Sequence, residues 1–182
     1  MNVTETKLKG CFIIEPLLFK DPRGYFFESF NEARFCNLTH TSIRFVQDNQ
    51  SLSSYGVIRG LHTQSGDFAQ AKLVRVLQGA VLDVAVDVRR DSPTFGQHVA
   101  VTLSQENQRQ LFIPRGFLHG FSVLSETATF FYKCDNYYHK ASETGVIYND
   151  PFLNIDWQID ASKAIISEKD LQLAFFNEVF QK

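Results

Sequence analysis

Cysteine is scarce in this chain of 182 residues: Cys11, Cys36 and Cys134 are the only three, and no two form a Cys-x-x-Cys pair. An odd, scattered set argues against a disulfide framework or a cysteine zinc site, and fits free thiols in a reducing compartment. A net positive charge is also missing. Eighteen Lys and Arg stand against twenty Asp and Glu, a formal charge of −2, which argues against a general nucleic-acid binder and leaves any anion to local cations. There is no run of about 18 apolar residues to span a bilayer, and Met1 to Lys7 lack the apolar stretch of a signal peptide. The expectation is a soluble, cytoplasmic protein with no nucleic-acid or membrane partner. Repeats, low-complexity tracts and Pro/Gly/Ser linkers are absent too, so residues 1–182 are expected to form a single domain.

Apolar and aromatic residues are what the chain does have. Hydrophobic residues make up 44% and aromatics 14%, with eighteen Phe, too apolar for a disordered chain and suited to half-buried strands. Strands are expected over 10–19, 25–30, 97–103, 110–113, 117–123 and 129–136. Another pair, from Leu73 to Val88, turns at Gln78-Gly79. In its second strand Leu82, Val84, Val86 and Val88 share one face while Asp83 and Asp87 share the other, which predicts one packed and one partly polar face. Asn31 caps a short predicted helix over 31–35. Ser167 caps a C-terminal amphipathic helix in which Leu171, Phe175 and Val179 fall at helical spacing. Many short strands with few helices indicate a sandwich or barrel of jelly-roll type.

The run from Gln47 to Gln64, ending in Arg59-Gly60-Leu61-His62, gathers amides, a cation and an imidazole more densely than a folding core requires. His62, with an ordinary pKa of about 6.5 for its type, serves either as a general base or as a hydrogen-bonded structural histidine. Strict alternation puts Arg59 and His62 on opposite faces, so a shared site requires the strand to end or bulge between them, which Gly60 permits. Tyr132 reads as a phenol acid or a strand tyrosine. Lys72 reads as an oxyanion holder or a surface lysine, Asp170 as a capping-box acid, and Arg23 as a phosphate grip or an ordinary turn arginine. His62 and His119 give two metal-ligand candidates, short of the three a catalytic zinc or iron site takes from protein, so no metal is expected.

Several stretches in order, among them Asp21-Pro22-Arg23-Gly24-Tyr25-Phe26-Phe27-Glu28, Gln47 through His62, Gln70-Ala71-Lys72-Leu73-Val74, Ile113-Pro114-Arg115-Gly116-Phe117-Leu118-His119-Gly120-Phe121 and Tyr132-Lys133-Cys134, resemble the nucleotide-sugar 3,5-epimerases of the cupin superfamily that act on dTDP-4-dehydro sugars. The match runs over nearly the whole chain and is far more specific than one short pattern. It implies a mainly β protein, a cupin-type double-stranded β-helix (jelly-roll barrel) with a few short helices and a C-terminal helix. It also implies a homodimer acting on a dTDP-sugar without metal or other cofactor.

The resemblance assigns roles as well. His62 would remove the proton beside the C4 carbonyl, with Asp170 orienting the imidazole. Lys72 would stabilise the enolate oxygen and Tyr132 would return a proton from the opposite face. Arg59 and His119 would line the site near diphosphate and sugar. Arg23, Glu28, Gln47, Asn49, Glu143 and Lys169 match nucleotide-sugar contacts, and Phe26 and Tyr138 match an aromatic pair stacking on thymine. The competing readings are a single-centre epimerase, a nucleotide-sugar-binding cupin without turnover, and a metal-dependent cupin oxygenase. A binder has no reason to keep His62, Lys72, Tyr132 and Asp170 together, and an oxygenase needs more ligands.

Overall fold

Residues with period-two alternation dominate the computed structural model, which describes residues 1–180. They build two antiparallel sheets face to face. The six-stranded sheet runs, in spatial order, β1 (Asn2–Glu5), β2 (Phe12–Glu15), β10 (Gln110–Ile113), β7 (Lys72–Gln78), β12 (Thr127–Cys134) and β5 (Gln47–Ser54). The five-stranded sheet runs β13 (Glu143–Gly145), β6 (Ile58–Gln64), β11 (Phe117–Val123), β8 (Ala80–Asp87) and β9 (His98–Ser104). From β5 to β8, and again from β10 to β13, the chain alternates between the sheets, the path of a jelly roll. A separate hairpin pairs β3 (Phe19–Asp21) with β4 (Gly24–Phe26). Among the described residues no helix is long and apolar enough to cross a membrane.

Three apolar clusters hold these layers. Between the sheets lie Val74, Val76, Leu111 and Phe130 from one side and Val81, Ala85, Phe117, Phe121 and Val123 from the other. Behind the five-stranded sheet, Leu82, Val84, Val86 and Leu118 pack under Val146, Leu153, Trp157 and Phe176. Behind the six-stranded sheet, Ile14, Leu73 and Phe112 meet Phe35 of helix α1 (Glu32–Thr39). Strand β8 is therefore covered on both faces: the expected packed face meets the C-terminal segment, and the expected partly polar face is the barrel interior.

Some boundaries differ from the sequence reading. The strand expected over 10–19 breaks into β2 and β3 around Pro16, which has no N–H to continue a ladder. The strand expected over 25–30 stops at Phe26, because Ser29 is drawn off by a hydrogen bond from Gln110 and Phe30 turns into the Phe35 and Phe45 rings. Helix α1 runs to Thr39, beyond the expected 31–35, with Asn31 capping as read. The single amphipathic helix expected at the C-terminus is two short ones, α2 (Glu168–Leu171) and α3 (Phe176–Phe180). At the start of α3, Phe176 N–H donates to the buried Asp150 carboxylate at 2.7 Å. That contact sets a different face inward: Phe176 is fully buried, while Phe175 is 47% exposed and Leu171 51%. The end of the expected domain, residues 181 and 182, lies outside the described residues.

Candidate active site

A cavity of about 630 Å³ is lined by both sheets and by residues of the segment 165–170. Strand β6 supplies Arg59 and His62, β11 supplies His119, β7 supplies Lys72, β12 supplies Tyr132, β5 supplies Asn49, and α2 supplies Lys169 and Asp170. The groups read from sequence as base, electrophile, acid and orienting carboxylate thus share one chamber.

Arg59 and His62 reach it together because β6 carries an extra residue. Against β11, His119 pairs with His62 and Phe121 pairs with Arg59, so two steps on one strand oppose three on the other, a β-bulge. Gly60 sits in this bulge at φ +115°. A Cβ there would come within 2.6 Å of Gly120 Cα and 2.7 Å of the His119 carbonyl oxygen, so only glycine fits. The Gly60–Leu61 peptide is cis. Gly145, opposite His62 in β13, is also constrained: a side chain there would press on Leu61 O and the imidazole.

His62 and Asp170 meet at 2.7 Å. The imidazole is 26% exposed and the carboxylate 6%. Ser167 accepts a hydrogen bond from Asp170 N–H, as the cap reading expects, but the Asp170 side chain does not return to the helix start. It faces His62, with Gly60 N–H donating to its second oxygen at 3.4 Å. Burial pushes the Asp170 carboxyl up, yet the hydrogen bond and charge of His62 and the Gly60 and Ser167 contacts outweigh it and hold its pKa below the usual range. An ionised carboxylate only accepts, so the ring nitrogen facing Asp170 carries a proton.

Across the chamber, burial pushes the Tyr132 phenol up, so it is protonated at neutral pH. Lys72 Nζ lies 5.8 Å from the Tyr132 ring centroid, and burial lowers its ammonium pKa. His119 meets the fully buried Asp83 at 2.8 Å, and burial moves the His119 pKa down. Arg59 donates from Nε to Ser53 at 3.1 Å. A protonated phenol, a lysine amine and an imidazole face one another across the chamber, the group types that proton transfer beside a carbonyl requires.

The remaining candidates divide. Gln47 donates to Asn49 at 3.0 Å and accepts from Tyr138 N–H at 3.1 Å. Glu143 accepts from the Tyr138 hydroxyl at 2.8 Å and from Lys169 at 2.7 Å. These five residues form one connected rim with the chamber. Arg23, Phe26 and Glu28 do not join it. Arg23 is paired with Asp21 at the hairpin tip, Phe26 is 71% exposed, and Glu28 pairs with Arg34 and Asn31. Sequence reasoning missed Ser51 and Ser53 on the chamber side of β5, though Gln47, Asn49, Ser51 and Ser53 alternate on one face. It also missed Asp83 as the partner of His119; a carboxylate inside an apolar strand was the available signal. Among the described residues no group of three or more His, Cys, Asp or Glu is arranged to hold a metal.

The fold is a cupin-like β fold, and the relatives of the chain place it among the isomerases. The family model described as dTDP-4-dehydrorhamnose 3,5-epimerase matches residues 5–178, and the chain belongs to that family. It is 49% identical over 181 residues to the dTDP-4-dehydrorhamnose 3,5-epimerase of Escherichia coli (strain K12), covering 100% of this chain and 97% of that one. The crystal structure of the dTDP-4-dehydrorhamnose 3,5-epimerase from Elizabethkingia anophelis NUHP1 superposes with a TM-score of 0.95 at 55% identity, covering 99% of this chain and 98% of that one. A dTDP-6-deoxy-D-glucose-3,5-epimerase from Legionella pneumophila Philadelphia 1, in complex with dTDP-4-keto-L-rhamnose, superposes with a TM-score of 0.94 at 50% identity, covering 98% and 94%.

Proposed function

We propose that this protein inverts C3 and C5 of dTDP-4-dehydro-6-deoxy-D-glucose to give dTDP-4-dehydro-L-rhamnose, in the cytoplasm, as a single cupin-like domain that pairs into a homodimer. The observation behind this reading is the His62–Asp170 pair on the five-stranded side of the chamber, with Tyr132 and Lys72 on the six-stranded side. Each inversion breaks a C–H bond beside the C4 ketone. His62 takes the proton, and Asp170 stabilises the imidazolium that forms. The C–H electron pair moves into the carbonyl to give an enolate, whose oxygen the Lys72 ammonium holds. The carbon is then reprotonated from the other face by the Tyr132 phenol, and exchange with solvent resets both residues. Removing one oxyanion donor in such a site costs on the order of 10²–10³ in rate.

Arg59 and His119 hold the diphosphate and sugar, while Gln47, Asn49, Glu143 and Lys169 contact the nucleotide sugar and Tyr138 stacks on the base. Arg23, Phe26 and Glu28 belong to the same ligand by family resemblance but lie outside the chamber of their own chain. A homodimer reconciles the two, because an exposed hairpin from one copy can complete the chamber of the other. Proton NMR with dTDP-4-dehydro-6-deoxyglucose in deuterium oxide tests the reaction. Solvent deuterium at both C3 and C5, with L-rhamnose after a reductase is added, supports it. Exchange at one carbon makes the protein a single-centre epimerase, and exchange at neither overturns the reading.

A further inference from the structure

We infer that Gln64 is a positioning residue that holds the loop carrying Tyr138 in its base-stacking geometry. This rests on the proposed role of Tyr138. Gln64 closes β6 two positions after His62, is 6% exposed and does not line the chamber. Its side-chain amide is spent on the backbone of two loops. Oε1 accepts from His139 N–H at 2.7 Å, while Nε2 donates to Phe68 O at 2.8 Å and to Tyr137 O at 3.5 Å.

Residues 137–139 lie between β12 and β13 and have no regular secondary structure. They therefore have no ladder to fix them, and consecutive N–H groups end on side chains instead: Tyr138 on Gln47 and His139 on Gln64. The His139 ring in turn stacks on Phe68 at 3.8 Å between centroids and 12° between planes, joining the two loops that Gln64 bridges. Tyr138 itself is 54% exposed. No core packs its ring, so its orientation depends on this backbone tether and on the Glu143 contact. A stacking surface fixed before the ligand arrives avoids the ordering cost of binding, and a partly buried N–H that loses its acceptor favours an opened, hydrated loop.

Isothermal titration of dTDP onto wild type, Gln64→Leu, Tyr138→Ala and the double variant tests the assignment. Gln64→Leu is expected to weaken dTDP binding about tenfold, equivalent to about 1.4 kcal/mol. In the Tyr138→Ala background the same change is expected to add less than about twofold, because two residues acting through one contact are non-additive. Gln64→Glu, which keeps the acceptor for His139, is expected to bind more tightly than Gln64→Leu, and it carries the cycle if Gln64→Leu does not fold. Wild-type binding of dTDP with an unchanged Gln64→Leu, or a full tenfold loss in both backgrounds, overturns the inference alone. Wild type that does not bind dTDP overturns the nucleotide-sugar reading as well.

Discussion

Asp170 and His62 are separated by 108 residues and touch at 2.7 Å, one from a single-turn helix and one from β6, between β13 and β11 in the five-stranded sheet. The contact puts a proton on the facing ring nitrogen and, in the proposed mechanism, supplies charge for the imidazolium. Asp170→Asn keeps the shape but removes the charge, and its amide can donate toward the ring nitrogen that should carry the proton. Turnover is expected to fall about 10²–10⁴-fold, with dTDP affinity changed by less than about threefold. Steady-state kinetics beside titration calorimetry checks this; an equal loss in both would make Asp170 a binding residue.

Much of this site is visible in the sequence because its residue types are costly to keep without a use. Alternation along β8 and β12 marks which side chains share a face, and the observed barrel keeps those faces. Alternation fails at Arg59 and His62, where the bulge at Gly60 resets the phase; a glycine in a strand permits a bulge without requiring one. The C-terminal helix is misread for a different reason. Leu171, Phe175 and Val179 satisfy helical spacing, but the tie from Phe176 N–H to Asp150 is a contact over 26 residues that no local pattern contains. The position of the Phe26 hairpin outside the chamber is likewise a tertiary fact: the hairpin's own residues state only that a turn forms at Asp21 to Gly24.

Tyr132→Phe separates the two halves of the reaction. The phenol is kept protonated by burial, and in the proposed mechanism its loss leaves His62 to take the proton while nothing delivers one from the opposite face. Product formation is expected to fall about 10²–10⁴-fold. In deuterium oxide the substrate is still expected to acquire deuterium with its configuration retained, since the enolate is requenched from the side of His62. Loss of exchange together with loss of product would give Tyr132 the role of base.

Asp87 provides an acid-stability handle remote from the chemistry. Its buried carboxylate accepts from Arg89 Nε and Nη2 at 2.9 and 2.7 Å and from Thr94 at 2.7 Å, and it also takes the Ser92 hydroxyl. Burial pushes its pKa up, but these hydrogen bonds prevail and bring it down to about 2. Because the folded value lies below the ordinary carboxylate value of about 4, the stabilisation is complete above that pH and is lost as pH falls through about 2. Asp87→Asn is therefore expected to cost about 1–3 kcal/mol at pH 7. The gap to wild type should narrow below about pH 4, as followed by urea denaturation. A gap independent of pH would assign the loss to packing.

The His119–Asp83 pair is the place where stability and activity should come apart. Asp83 is fully buried, and one of its oxygens already has no hydrogen-bond partner. His119→Leu would leave the other oxygen unpaired too, a loss expected to cost about 3–5 kcal/mol because an uncompensated charge remains in the barrel interior. Adding Asp83→Val removes that charge and fills the space with an apolar side chain, so the double variant should recover most of the lost stability. It should not recover turnover, because the imidazole that lines the chamber is still missing. Denaturation curves and kinetics on the three variants decide the point. Recovery of both would make the pair a fold element alone, whereas recovery of stability without turnover separates its structural cost from its use in the site.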